Sequence, residues 1–193
     1  MNNDEIDKLW AQYNDSANRG EIAEAIQVLE EIISINPDLP AIWTLLAEEY
    51  SELELWVKSE KAFNNAIELN PKSATAYSGM ASMYLGRGLF DQAEKCLIKS
   101  LDCDSTVAET YSLYGVLESR RGNYVNSEQH HRKAIALKPD FEEPYLNLGL
   151  TLIYQNKLEE AKPYIKRAIE IDPKYNEAIE VLEQLNRDLN KNT

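Results

Sequence analysis

The chain has 193 residues, of which 44% are hydrophobic and 27% are charged, and its formal net charge is −13. This composition is typical of a folded globular protein, and the length fits a single domain, residues 1–193. No apolar run approaches the roughly 18–20 residues of a membrane-spanning helix, so we expect no membrane partner. The first residues are acidic and polar and do not resemble a signal peptide, which favours a cytoplasmic location.

The negative charge is concentrated near the N-terminus. Residues 1–70 carry 15 acidic and 4 basic side chains, whereas residues 71–193 carry 18 and 16. Nucleic acid is excluded as a partner, because neutralising its phosphates requires a basic face. A basic partner at the N-terminal end is one interpretation of the asymmetry. The other is a solvated surface that keeps the protein in solution.

Prolines and glycines recur with a fixed period of about 34 residues. The prolines are Pro37, Pro71, Pro139 and Pro173, with Ser105 at the vacant position. Each proline ends a helix, because it forces the preceding residue out of the helical conformation. About midway between them, where two helices must turn back, stand Gly20, Gly88, Gly122 and Asn156. The pattern predicts five helix–turn–helix units, whose short helices are stabilised by stacking on the next unit.

The second unit carries the clearest apolar pattern. Its first helix places apolar side chains at i, i+3, i+4 and i+7, on one helical face, at Trp43, Leu46, Ala47 and Tyr50. Its second helix follows with Phe63 and Ala66. The third and fifth units repeat this arrangement with other apolar residues. Residues 176–190 form one more amphipathic helix, which predicts a C-terminal cap.

Two units depart from the pattern. The first helix of the first unit has Gln12 and Ser16 on its apolar face, and terminal repeats are commonly atypical. The fourth unit has Glu118 where other units have an aromatic residue, and Ser127 and His131 at two further apolar positions. We therefore expect the fourth unit to pack less tightly than its neighbours.

These residues resemble the tetratricopeptide repeat family, whose pattern is W-x2-L-G-x2-Y, then A-x3-F, then P, within one repeat. The resemblance implies an all-α fold. It would be an α-solenoid, a right-handed superhelix of five tetratricopeptide helix–turn–helix repeats plus a C-terminal capping helix. The repeats would span approximately 6–39, 40–73, 74–107, 108–141 and 142–175, and the capping helix 176–190.

No group of residues indicates catalysis. The sequence contains neither a glycine-rich phosphate loop before a helix nor a GxSxG motif. His130 and His131 are adjacent, so on a helix they point about 100° apart and do not form a metal-binding pair. His131 stands at an apolar position, where we expect a packed histidine with its hydrogen bonds satisfied. We therefore expect no catalytic residue, metal or cofactor, and a protein that is not an enzyme.

In tetratricopeptide proteins the first helix of each repeat lines a concave groove that binds peptides or helices. The resemblance implies such a groove here, for another protein or peptide as partner. By register its residues are Trp10, Asn14, Asn18, Thr44, Leu45, Glu48, Glu52, Ser78, Gly79, Ser82, Ser112, Leu113, Val116, Leu146, Asn147, Leu150 and Tyr154.

The residue types at the groove positions indicate which classes of partner can bind. Some members of the family hold the acidic C-terminal tail of a heat-shock chaperone with Lys, Arg and Asn at these positions. Here such bases are almost absent, and Glu48 and Glu52 would repel a carboxylate, so we exclude a heat-shock chaperone tail. The small residues Ser78, Gly79 and Ser82 predict room for a bulky segment, or for one with basic and apolar side chains.

Three functions remain open. The first is a non-enzymatic interaction module, an adaptor or scaffold that binds a partner segment in the groove. The second is a dedicated chaperone or neutralising partner of a single basic client, such as a secreted effector or toxin. The third is a self-assembling scaffold, a homo-oligomer formed through the first helix with Trp10 and Tyr13 exposed.

Overall fold

A computed structural model describes residues 2–191, and side chains in 4–190. Within these residues the chain is helical with no strand, so the predicted all-α class is confirmed. The helices are α1 (Asn2–Arg19), α2 (Ile22–Ile35), α3 (Pro40–Glu52), α4 (Trp56–Leu69), α5 (Ala74–Gly86), α6 (Phe90–Cys103), α7 (Ala108–Arg120), α8 (Tyr124–Leu137), α9 (Glu142–Tyr154), α10 (Leu158–Ile171) and α11 (Asn176–Lys191). We call the first helix of each pair, and α11, the leading helices, and the others the trailing helices.

The helices group into two compact units. We call these the first unit, which ends at Ser105, and the second unit, which starts at Thr106, and we call each helix–turn–helix a repeat. In the first unit, α1 packs on α2, α3 on α4 and α5 on α6, and the leading helices α3 and α5 also touch. In the second unit, α7 packs on α8 and α9 on α10, α7 touches α9, and α11 packs on α10. The single domain expected from the length stays a prediction. None of the described helices has the length and apolar composition needed to cross a membrane.

The turn inside each pair has a left-handed residue at the same register. The glycines at these turns have φ of +71° to +80°, at Gly20, Gly88 and Gly122. Asn156 takes the same conformation at φ 60°, as does Glu54 at φ 56°. The backbone N–H after each left-handed residue donates to the carbonyl five residues earlier, as in Leu55 to Tyr50 at 2.8 Å. This C-terminal cap explains why the turn lies at a fixed place in every repeat.

Each trailing helix contributes one large side chain to the core, always at the same position of the repeat. These side chains are at most 1% exposed and belong to Leu29, Phe63, Leu97, His131 and Ile165. Gly115 and Gly149 on the leading helices face His131 and Ile165 so closely that an added Cβ would overlap them. The large side chain of the trailing helix thus fills the space that a glycine leaves on the leading helix, and this contact fixes the distance between the two helices of a pair.

Of the three polar residues that the fourth repeat places at apolar positions, Glu118 and Ser127 have hydrogen-bond partners in the structure. The buried carboxylate of Glu118 accepts hydrogen bonds from Asn123 and Asn126, each at 3.1 Å. The Ser127 hydroxyl lies 2.9 Å from that of Thr151 on α9. The exception is His131, which is buried as predicted but whose Nδ1 has no hydrogen-bond partner among the described residues. Its expected satisfied state is therefore wrong.

Candidate protein-binding surfaces on the leading helices

In the first unit, the predicted groove residues divide into exposed, half-buried and buried ones. The exposed ones are Trp10, Asn14, Asn18, Glu48, Glu52 and Ser82. Leu45 and Gly79 are half-buried. We refer to the exposed set as the first leading-helix surface. Trp10 is 39% exposed and stacks on Tyr13 at 5.2 Å, but Tyr13 itself is only 8% exposed, which corrects the expectation that both rings are free.

Four predicted groove residues lie beneath the surface. Thr44, Ser78, Ser112 and Leu146 are at most 7% exposed, so their assignment to the groove lining is corrected. They share one register of the leading helices, among which α3 touches α5 and α7 touches α9. The hydroxyls of Thr44 and Ser78 bond within their own helices, to the carbonyls of Pro40 and Thr75 at 3.1 and 3.0 Å.

Gly79 makes room for a core side chain and not for a partner. A Cβ built at Gly79 would lie 2.7 Å from Cε1 of Phe63 and 3.2 Å from Oε1 of Glu48. The space that the sequence predicted above Ser78 and Gly79 is therefore filled from within. Of the three small residues, only Ser82 is exposed.

The first leading-helix surface is acidic, and two carboxylates on it are partly desolvated. Tyr13 donates a hydrogen bond to Glu49 Oε1 at 3.2 Å. Glu48 keeps access to solvent, yet the surrounding protein atoms disfavour its charged form. With a smaller contribution from the charge of Glu49, this desolvation raises the pKa of Glu48 to about 7. Desolvation also raises the pKa of Glu49.

The second unit has a pocket of about 520 Å³ on its leading helices. Its lining includes four predicted residues, Val116, Asn147, Leu150 and Tyr154. It also includes residues that the sequence did not suggest: Ser119, Arg120, Tyr124, His131, Thr151 and Glu177. A signal for Arg120 was present, because it lies one repeat after Gly86 and one repeat before Tyr154, on a register already assigned to the groove. Leu113, the remaining predicted residue, is half-buried and does not line the pocket.

Four residues that line this pocket are aromatic or aliphatic, Val116, Tyr124, Leu150 and Tyr154, and the other six are polar or charged. Tyr124 stacks on Tyr154 with ring centroids 5.3 Å apart, and Tyr154 is 64% exposed. Burial lowers the pKa of His131 to about 3, with a smaller contribution from His130, so the imidazole is neutral near pH 7. Arg120 and Glu177 are exposed and make no ion pair with any described residue.

Three acidic residues recur at one register of the leading helices, and one of them, Glu177, lines the pocket. Glu109, Glu143 and Glu177 stand at the same register of successive leading helices, each in the first turn. Glu109 is paired with Lys138 at 2.7 Å, and Glu143 accepts a hydrogen bond from Asn147 at 3.3 Å. Desolvation, together with the neighbouring acids, raises the pKa of Glu143. Carboxylates are stabilised in the first turn of a helix by its dipole.

Comparison with known proteins agrees with this architecture. The family model of the tetratricopeptide repeat matches residues 143–175. No curated protein matches the sequence. Among solved structures, a thermophilic TPR protein of Thermus thermophilus is similar with a TM-score of 0.84 and 18% identity, over 93% of this chain and 98% of that one.

Two further solved structures share the fold. The Cut9–Hcn1 hetero-tetramer of the APC/C aligns with a TM-score of 0.80 and 15% identity, over 94% of this chain and 40% of that one. YrrB, described as a TPR protein with an unusual peptide-binding site, aligns with a TM-score of 0.59 and 14% identity, over 89% and 88%. The resemblance found in the sequence is confirmed: a tetratricopeptide repeat is matched at residues 143–175, and the chain shares the fold of a solved tetratricopeptide repeat protein over most of its length.

Proposed function

We propose that the protein is a non-enzymatic protein–protein interaction module, an adaptor or scaffold that binds a segment of a partner on its leading helices. The observation that carries the proposal is the exposure of large aromatic residues on these helices, Trp10 and Tyr154, beside recessed polar groups. Exposed aromatic side chains are enriched where proteins bind one another. YrrB binds a peptide and Cut9 assembles with Hcn1 by their descriptions, which supports the same use of the fold here.

The charge of the first leading-helix surface favours a partner segment with a basic residue. Glu48 and Glu52 are exposed on α3, and Glu49 lies beside them, half-buried. A basic side chain placed there would stabilise the ionised form of Glu48, whereas an acidic tail would be repelled. A single basic client, held as by a dedicated chaperone, is the second candidate that this surface supports.

The proposal is tested with a photo-crosslinking amino acid placed at one position at a time in the intact protein. Ser82 and Leu150 report on the leading helices, and Asn64 and Lys166 are the matched exposed positions on trailing helices. We expect crosslinks to partner proteins from native lysate at the first two positions and few at the other two. Crosslinks of equal yield at all four positions would contradict binding on the leading helices.

A substitution that blocks the surface gives the quantitative test. Ser82→Trp should weaken capture of the crosslinked partner while changing the melting temperature little, because Ser82 is exposed. Asn64→Trp, at an exposed position of α4, is the control and should leave capture unchanged.

The stoichiometry of the captured proteins separates two of the candidate functions. One stoichiometric client would favour the dedicated chaperone, and several substoichiometric partners would favour the adaptor. Light scattering over a concentration series tests homo-oligomer formation through the exposed Trp10.

A further inference from the structure

The pocket of the second unit has features that specify what it binds. It lies between the leading helices α7 and α9 and reaches the first turn of α11. Its volume of about 520 Å³ falls within the roughly 300–1,000 Å³ typical of ligand-binding pockets. The inference below rests on the proposed function and identifies the chemistry of the bound segment.

The aliphatic and aromatic residues in the lining of the pocket fit an aromatic side chain. Val116 and Leu150 line the pocket from adjacent helices, and the stacked rings of Tyr124 and Tyr154 form a further wall. An aromatic ring inserted here would contact aliphatic side chains on two helices and the edge or face of the tyrosine pair. Aromatic anchors of this kind supply much of the energy of peptide binding.

The floor of the pocket holds an unsatisfied polar group. His131 lines the pocket and is 1% exposed, and its Nδ1 has no hydrogen-bond partner among the described residues. Nδ1 has almost no accessible surface, so a ligand bonds to it only if the neighbouring side chains move. A buried polar atom without a partner is costly, so a ligand donor that makes this bond would be favoured over a purely apolar one. The phenol of tyrosine and the indole of tryptophan carry such a donor at the tip of an aromatic ring, whereas phenylalanine does not.

The rim carries opposite charges on different helices. Arg120 lies at the C-terminal end of α7 and Glu177 in the first turn of α11, and neither has an ion-pair partner within the described part of the chain. A segment that crosses the pocket therefore meets a cation on one side and an anion on the other. Charges placed in this way fix the direction in which a bound segment runs.

We propose that this pocket receives a tyrosine or tryptophan side chain of the partner segment, with an acidic residue of the segment at Arg120 and a basic residue at Glu177. The unmatched polar floor separates this site from a general apolar groove. The two charges separate it from the acidic surface of the first unit.

The test selects peptides from a displayed random library on the intact protein. We expect the selected peptides to carry tyrosine or tryptophan between an acidic and a basic residue. The best of them, made synthetically, is titrated against three pocket variants, Arg120→Glu, Glu177→Lys and Leu150→Arg. Lys166→Glu, an exposed charge reversal on α10 of the same unit, is the control. Circular dichroism verifies that each variant is folded.

Each pocket variant should weaken binding about tenfold or more, and Lys166→Glu less than about twofold. Replacing the acidic residue of the peptide by lysine should restore binding to Arg120→Glu, because the charges are again opposite. Replacing the aromatic residue of the peptide by phenylalanine should weaken binding to the wild type. The same replacement should weaken binding to the His131→Leu variant less, because this variant lacks the imidazole.

Two results would overturn the inference. If the pocket variants bind the peptides as the wild type does while Ser82→Trp abolishes binding, the pocket is not the site, and the proposed function stands on the first unit. If neither the pocket variants nor Ser82→Trp affects binding, or if no peptide is selected, both the inference and the proposed function fail. A phenylalanine peptide that binds as tightly as a tryptophan peptide would contradict the role given to His131.

Discussion

The imidazole of His131 lies directly against the backbone of Gly115, so that a Cβ at position 115 would overlap the ring. Gly115 belongs to α7 and His131 to α8, and the contact therefore joins the two helices of one repeat. Ile165 and Gly149 make the equivalent contact between α10 and α9. In both helix pairs the helices pack closely because the leading helix has a glycine, which has no side chain, at the contact.

We expect Gly115→Ala to lower the free energy of unfolding by about 2 kcal/mol, because the added methyl group must push the imidazole or the helix aside. The measurement is urea denaturation at neutral pH. Gly86→Ala is the control, since a Cβ there would lie 3.8 Å from Cη2 of Trp56, an ordinary contact. Its improved helix propensity should stabilise the protein by up to about 1 kcal/mol. Equal stability of the two variants would contradict the proposed fit.

We expect His131→Leu to stabilise the protein, by about 1 kcal/mol near neutral pH, because it removes a buried nitrogen without a partner. Leu97 occupies the same register one repeat earlier and is fully buried, so the structure accommodates leucine there. A variant less stable than the wild type at neutral pH would show that His131 has a partner in solution.

The gain from His131→Leu should increase in acid. The pKa of His131 is lowered from 6.5 to about 3 in the folded protein, so the unfolded chain binds more protons between these values. Stability of the wild type therefore falls as the pH drops below about 6.5, by up to about 1.4 kcal/mol for each pH unit. Urea denaturation of both proteins at two pH values below neutrality measures the difference. A gain that does not depend on pH would contradict the buried, neutral histidine.

The sequence predicted the helix pairs because proline, glycine and apolar residues recur at a fixed period, and each mark acts locally. It did not predict which side of a leading helix is open. Thr44 and Ser112 are small and polar like exposed residues, but the folded protein buries them. His131 was expected in the core and Arg120 was not among the predicted groove residues, although both line the pocket. Packing between helices determines which of these residues are covered, and the period of the sequence does not show how the helices pack.

We expect Glu54→Gly to stabilise the protein by about 0.5–1 kcal/mol. Glu54 has φ 56° in a turn where glycine stands in three other repeats, and a side chain in this left-handed conformation is strained. The gain is reduced in part by the greater freedom of glycine in the unfolded chain. Asn156→Gly, at φ 60°, is the control and should gain only a few tenths of a kcal/mol, because asparagine tolerates this conformation. A loss of stability in Glu54→Gly would show that the glutamate makes a compensating contact.

We expect Glu48→Gln to stabilise the protein at pH 8 relative to pH 5. The pKa of Glu48 is raised from about 4.5 to about 7, so the folded protein binds more protons than the unfolded chain between these values. Stability of the wild type therefore falls as the pH rises through this range, and the uncharged amide does not share the loss. Because Glu48 keeps access to solvent, the difference should stay below about 1 kcal/mol. The measurement is urea denaturation of both proteins at each pH. The same gain at both pH values would mean that Glu48 is not desolvated. The first leading-helix surface would then lack the desolvated carboxylate that a bound basic side chain would stabilise.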